Sequence, residues 1–144
     1  EAERGYHLIL QNPGITVNNS IMDADAKFVA SSMSAGVRCA GTAEFAGLDA
    51  LPDYRRSQIF VRLAERLFPN INTIDTIEWM GSRPSFPDSL PCLGEVPGKK
   101  GLFCAFGHSH YGFGMAPNTG RVVASIVTGE PVNIDLKPYQ IGRF

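Results

Sequence analysis

What this 144-residue sequence lacks narrows its reading first. No apolar run approaches the ~20 residues that a membrane-spanning helix needs, which excludes a membrane span. Neither charge sign is in excess: 13 Lys and Arg stand against 14 Asp and Glu. The basic residues are scattered, so no nucleic-acid partner is expected. Cysteine is scarce and odd in number. Cys39, Cys92 and Cys104 have no C-x-x-C spacing. Free thiols in a reducing, cytoplasmic setting are expected rather than a disulfide framework. No Gly-x-Gly-x-x-Gly lies between a strand and a helix, and no Gly-Lys-Ser/Thr occurs, which removes the dinucleotide fingerprint and the phosphate loop. No Ser/His/Asp or Cys/His triad is legible, and Ser109 lacks an activating spacing. The chain opens on Glu rather than Met, so its start is expected to be a cleavage site or a cut in a longer chain.

What is present is an ordinary globular composition, 44% hydrophobic and 19% charged, enough for one real core. Strands are expected at residues 5–11, 15–22 and 27–33, with a fourth over VRCAGTAEFAG after Gly36, interrupted by Gly41. Short strands joined by short turns imply an antiparallel meander. The period changes at residues 53–68, where Ile59, Phe60, Leu63, Ala64, Leu67 and Phe68 recur at three and four. Arginines fill most of the other face, the pattern of an amphipathic helix covering a sheet. Residues 72–80 alternate again and deliver Gly81, Ser82, Arg83 and Pro84 at the strand's exit. Residues 82–100 read as a long proline-rich loop, with Asp88 and Glu95 solvated. The tail from 131 to 144 is expected to lie extended on the surface or to fray.

The richest stretch is residues 101–129. A short apolar run, residues 102–106, reads as a buried strand. A loop with Gly107, Gly112 and Gly114 follows. Then comes a helix with Pro117 at or near its first position and Gly129 just past its end. Ala116 precedes Pro117, so no side chain caps the helix and its first amides are left unpaired. Bare amides at the positive end of a helix suit an anion or an electron-rich ring edge. Glycines admit a flat or phosphorylated ligand closely. The competing reading is a common strand–helix turn that binds nothing. His108 and His110 are two apart with Cys104 near, but third and fourth ligands are missing, so no metal is expected. Arg83 has a guanidinium suited to gripping a carboxylate with two parallel hydrogen bonds; a salt-bridged structural arginine is the alternative. Tyr6 and His7 face opposite sides of their strand, so at most one enters a given pocket. Tyr6 is preferred for the pocket, against the alternative of a core tyrosine with a satisfied hydroxyl.

Several spaced motifs resemble one family in order. They are Gly81-Ser82-Arg83-Pro84, then Pro87-Asp88-Ser89-Leu90-Pro91, Leu93-Gly94, Gly101-Leu102-Phe103, Gly107-His108 and Ala116-Pro117-Asn118-Thr119-Gly120-Arg121. Together they resemble the C-terminal end of the FAD-dependent D-amino-acid oxidase superfamily, most nearly the bacterial D-amino-acid dehydrogenases. Glu3-Arg4-Gly5-Tyr6-His7 resembles a substrate-domain strand of that family. The family's N-terminal half, with its Gly-x-Gly-x-x-Gly unit, is absent.

The resemblance implies an α+β piece. Residues 1–82 would be part of a substrate-binding domain, an antiparallel or mixed sheet covered by an amphipathic helix. Residues 83–144 would form a strand–loop–helix that returns to complete an FAD-binding domain. Arg83 would hold the substrate's carboxylate, with Tyr6 and Tyr111 nearby. The backbone of Gly107, His108, Gly112, Gly114, Met115 and Ala116 would hold the flavin, the helix start facing its N1–C2=O edge. The parent protein would oxidise an amino acid or related amine by hydride transfer to FAD. This chain alone is expected to be inactive and free of FAD, and to self-associate through open sheet edges. The parent is expected in the cytoplasm, soluble or membrane-peripheral. The alternative is a non-catalytic domain that binds a small molecule or anion, or serves interaction.

Overall fold

The structure, a computed structural model, describes residues 2–144. It divides into two compact units, Glu3–Ser82 and Arg83–Phe144, the latter joined by Ala2.

The first unit is built on β1 (Ala2–Leu10), β2 (Ile21–Asp23), β3 (Phe28–Met33), β4 (Gly36–Phe45) and β5 (Thr76–Pro84), with α1 (Arg55–Leu67) between β4 and β5; Ala2 at the start of β1 and Arg83 and Pro84 at the end of β5 are counted with the second unit. The sheet order is β2-β3-β4-β1-β5. β2, β3 and β4 form the expected meander, and β1 pairs antiparallel with β4. Alternation decides the faces. Leu8 and Leu10 of β1, Phe28 and Ala30 of β3, and Val37 and Cys39 of β4 turn to one side. There they meet Phe60 and Ala64 of α1. Each large side chain removed from water contributes about 1.5–3 kcal/mol. Burial pushes the Cys39 thiol up to about 11, which makes it an inert core residue. Gly41 does not end β4: Tyr6 pairs with Thr42 and His7 with Ala40, so Gly41 is the extra residue of a bulge. A Cβ on Gly41 would come within 2.3 Å of the Lys27 carbonyl oxygen, so only glycine fits there.

Two strand expectations need correction. Residues 15–20 alternate but form no strand; the Val17 amide instead donates to the Ser32 hydroxyl at 3.2 Å, outside any ladder. β5 starts four residues late and runs through Arg83, which therefore lies within the strand rather than after it. The Asn72 side chain, accepting from Ile74 N–H at 3.1 Å, makes a local turn that delays the extended run.

The second unit holds β6 (Cys92–Glu95), β7 (Phe103–Phe106) and α2 (Gly112–Thr128), then a 3₁₀ turn at Lys137–Tyr139. β6 and β7 form an antiparallel hairpin and α2 packs against it. β6 lies inside what reads in the sequence as a structureless loop. β7 is not the buried strand expected, since Ala105 and Phe106 are exposed. Helix α2 begins at Gly112, five residues before Pro117, which sits inside it. Pro117 has no N–H to return to the Phe113 carbonyl. The defect falls close to the helix start, where it interrupts little of the ladder. Gly129 ends α2 at φ 74°, as its sequence position implies.

Candidate functional site: a glycine loop and an uncapped helix start

The loop between β7 and α2 turns on Gly107, buried at φ 81°. A Cβ there would lie 2.1 Å from the Phe86 ring, so glycine is required by both space and dihedral. His108 is half-buried and its Nε2 lies 3.0 Å from the Thr119 hydroxyl of α2. Ser109 sits at φ 50°, its amide donating to the Pro84 carbonyl at 3.4 Å. Its Oγ is buried without a partner among the described residues. His110 is exposed, 6.3 Å from the Tyr111 ring.

Tyr111 is the N-cap residue and provides no capping side chain. Its own N–H is used by the His108 carbonyl and its carbonyl accepts from Met115 N–H, both at 2.9 Å. The N–H groups of Gly112, Phe113 and Gly114 are therefore those the helix start leaves without an intrahelical partner. This moves the bare amides from their expected place: Met115 is already inside the ladder and Ala116 follows it. Gly114 is exposed with nothing within 4 Å of a would-be Cβ, and Phe113 is 99% exposed. The Tyr111 phenol points outward and is also exposed.

Arg83 lies in the same unit as this loop and is half-buried and engaged, not a free surface cation. The hydrogen bond from Ser109 to Pro84 joins the residue after Arg83 to the loop. Thus Arg83, Gly107, His108, Tyr111, Gly112, Gly114, Met115 and Ala116 all fall within one unit, and Tyr6 falls in the other.

Tyr6 requires a correction. It is 2% exposed, and its hydroxyl donates to Glu44 Oε2 at 2.6 Å while accepting from Asp53 N–H at 3.0 Å. Both capacities of the phenol are spent inside the protein, so it has none left for a substrate. Glu44 also meets Arg56 at 3.1 Å and Arg4 at 3.6 Å. The Tyr6 hydrogen bond first, then the neighbouring guanidinium charges, hold the Glu44 carboxyl below its usual value against the effect of burial. Arg4 further donates to the carbonyls of Leu48, Ala50 and Leu51 and so anchors the segment before α1. Tyr6→Phe is expected to cost about 1–3 kcal/mol, because Asp53 N–H loses its acceptor and Glu44 a donor. Urea unfolding reads this directly, and a variant as stable as the parent chain would contradict it.

His7 faces the other side of β1 and stacks on Trp79 of β5, ring centroids 4.8 Å apart. Burial, then the charge of Arg38, lowers its pKa and so favours the neutral imidazole. The Trp79 ring lies over Gly81, where a Cβ would come within 2.0 Å of it. This stacked pair was not legible as a unit, since its members are 72 residues apart in sequence.

The chain belongs to the FAD dependent oxidoreductase family DAO, whose family profile matches residues 1–126. It is 40% identical over 150 residues to a D-amino-acid oxidase of Bradyrhizobium diazoefficiens, covering 100% of this chain and 35% of that protein. It is 40% identical over 126 residues to a D-amino acid dehydrogenase of Paramagnetospirillum magneticum, covering 87% of this chain and 30% of that one. Among solved structures, glycine oxidase from Geobacillus kaustophilus matches with a TM-score of 0.79 at 24% identity, over 99% of this chain and 39% of its own. That likeness establishes the shared α+β fold. The chain thus spans about a third of the length of the curated relatives it matches.

Proposed function

We propose that this chain is the C-terminal part of a flavin-dependent enzyme that oxidises a D-amino acid or related small amine. The product imine would then be hydrolysed to a keto acid and ammonia. The observation that carries the reading is the uncapped start of α2, reached through a glycine loop tied to the residue after Arg83. Three bare amides, a buried unpartnered hydroxyl and a loop admitting close approach fit an electron-rich planar cofactor. When bound, the flavin supplies the two-electron chemistry, and the protein supplies orientation and electrostatics.

In this reading Arg83 grips the substrate's carboxylate through its planar fork and so fixes which bond of the substrate is presented. The amides of Gly112, Phe113 and Gly114, with the positive end of α2, stabilise negative charge on the cofactor edge. That effect contributes ~0.3–1 kcal/mol when exposed and up to ~2 when partly buried. Gly107 and His108 hold the loop in place. The substrate class comes from the names of the relatives. Among the described residues no helix is long and apolar enough to cross a membrane.

A second feature supports a missing half. The outward face of α2 carries Phe113, Ala116, Gly120, Ala124 and Val127, all exposed and none charged. The sheet edge strands β2 and β5 are open on one side, which favours association of the isolated chain with itself. The complete protein should be yellow and should bleach when a D-amino acid is added without oxygen. The chain alone, lacking the dinucleotide fingerprint, should be colourless and bind FAD more weakly than ~0.1 mM, under ~6 kcal/mol of binding free energy. A flavin that no D-amino acid or small amine reduces would sink the proposal.

A further inference from the structure

The tail reads in the sequence as a segment that drapes or frays, but its end is one of the most fully bonded places in the molecule. The Arg143 side chain is 8% exposed. All five of its N–H groups find acceptors. Nε donates to Asp88 Oδ2 at 2.7 Å, and Nη2 donates to Asp88 Oδ1 at 3.0 Å and to the Leu90 carbonyl at 2.8 Å. Nη1 donates to the Gln140 carbonyl at 3.2 Å and to Cys92 Sγ at 3.3 Å. The guanidinium also lies 4.9 Å from the Phe86 ring centre and 4.6 Å from that of Phe144. A cation taken from water is tolerated when it is completely satisfied in this way, and both rings add attraction.

Phe86 carries the consequence onward. It stacks on Phe144 at 5.9 Å and meets Phe106 at 5.6 Å. Its edge fills the space above Gly107, where a side chain would otherwise stand. Gly107 opens the loop that leads to the start of α2. A continuous run of contacts therefore links Arg143, Phe86 and Gly107, all inside one compact unit.

We propose that Arg143 is a positioning residue for the cofactor loop: it clamps Phe86 over Gly107 and so fixes the path that presents the amides of Gly112, Phe113 and Gly114. The purpose of the loop rests on the flavin reading given above. How the loop is held does not, and the two are tested apart.

The first arm is hydrogen–deuterium exchange on this chain. Arg143→Ala should speed exchange of the Ser109 and Met115 amides about tenfold, and Asp88→Asn about threefold, with the Leu8, Leu10 and Cys39 amides of the other unit unchanged. If Arg143→Ala unfolds its unit, Asp88→Asn, which keeps the packing, decides. Unchanged loop exchange in a folded Arg143→Ala, or in Asp88→Asn where Arg143→Ala unfolds its unit, overturns the proposal. The second arm uses the complete protein: Arg143→Ala should weaken FAD binding about tenfold and alter the flavin absorption band. Arg143→Lys should recover only part of this, because an ammonium keeps the charge but loses the fork. FAD binding and a spectrum identical to wild type in Arg143→Ala would also overturn it. A wild-type complete protein that takes up no FAD would refute the functional reading alone, since the exchange arm still reports on the clamp.

Discussion

Replacing Arg83 by Met in the complete protein should lower kcat/KM for an amino-acid substrate by about 10² to 10³-fold. Removing one partner of a desolvated, hydrogen-bonded charge pair costs about 2–5 kcal/mol, and each ~1.4 kcal/mol is a factor of ten. The loss should fall mainly on KM if the grip acts equally in ground and transition states, and on kcat if it sets the angle of attack. Arg83→Lys should recover little, because a point charge cannot make two parallel bonds to a carboxylate. An amine without a carboxylate should be indifferent to the change. Activity within threefold of wild type in Arg83→Met would show that the guanidinium is structural and would remove Arg83 from the substrate site.

The second large effect concerns Gly107, and the structure supplies its own control. Gly107 and Gly101 share a left-handed backbone, φ 81° and 80°. Only their surroundings differ: a Cβ at Gly107 meets the Phe86 ring at 2.1 Å, while nothing lies within 4 Å at Gly101. Gly101→Ala should therefore cost only the dihedral penalty, about 1–2 kcal/mol. Gly107→Ala should add the overpacking penalty, about 1–3 kcal/mol more, by forcing Phe86 aside. Urea midpoints of the two variants give the difference. Equal midpoints would mean that Phe86 does not rest on Gly107, which would also remove the middle link of the Arg143 clamp.

Much of the fold could be read from the sequence because its signals are local. α1 announces itself by the recurrence of Ile59, Phe60, Leu63 and Ala64, and β3 by its alternation. The end of α2 follows from Gly129, which needs a left-handed dihedral. What could not be read depends on partners distant in sequence. Residues 15–20 alternate as well as any strand, yet Ser32 captures the Val17 amide and no ladder forms. The four residues of β6 are too few for any periodicity and become a strand only by pairing with β7. Pro117 is a strong sign for a first helical position, but it marks the second turn here. Packing of α2 on the hairpin outweighs one lost backbone bond.

The site was legible to a similar degree. The glycine loop and the absence of a cap are properties of adjacent residues, so the bare amides could be inferred, though placed a turn too late. The role of Tyr6 could not, because its partners Glu44 and Asp53 come from other elements. Asp88 looks solvated in the sequence for the same reason: its partner, Arg143, lies 55 residues away. That guanidinium holds the Asp88 carboxyl below its usual range, chiefly through their hydrogen bonds.

The most direct test is an amide spectrum of the complete protein, selectively ¹⁵N-labelled at glycine and phenylalanine, recorded before and after saturation with FAD. The Gly112, Phe113 and Gly114 signals should move downfield as their N–H groups gain an acceptor, while Gly101 and Gly129 stay in place. Shifts confined to other residues, with those three unmoved, would contradict the claim that the start of α2 faces the cofactor.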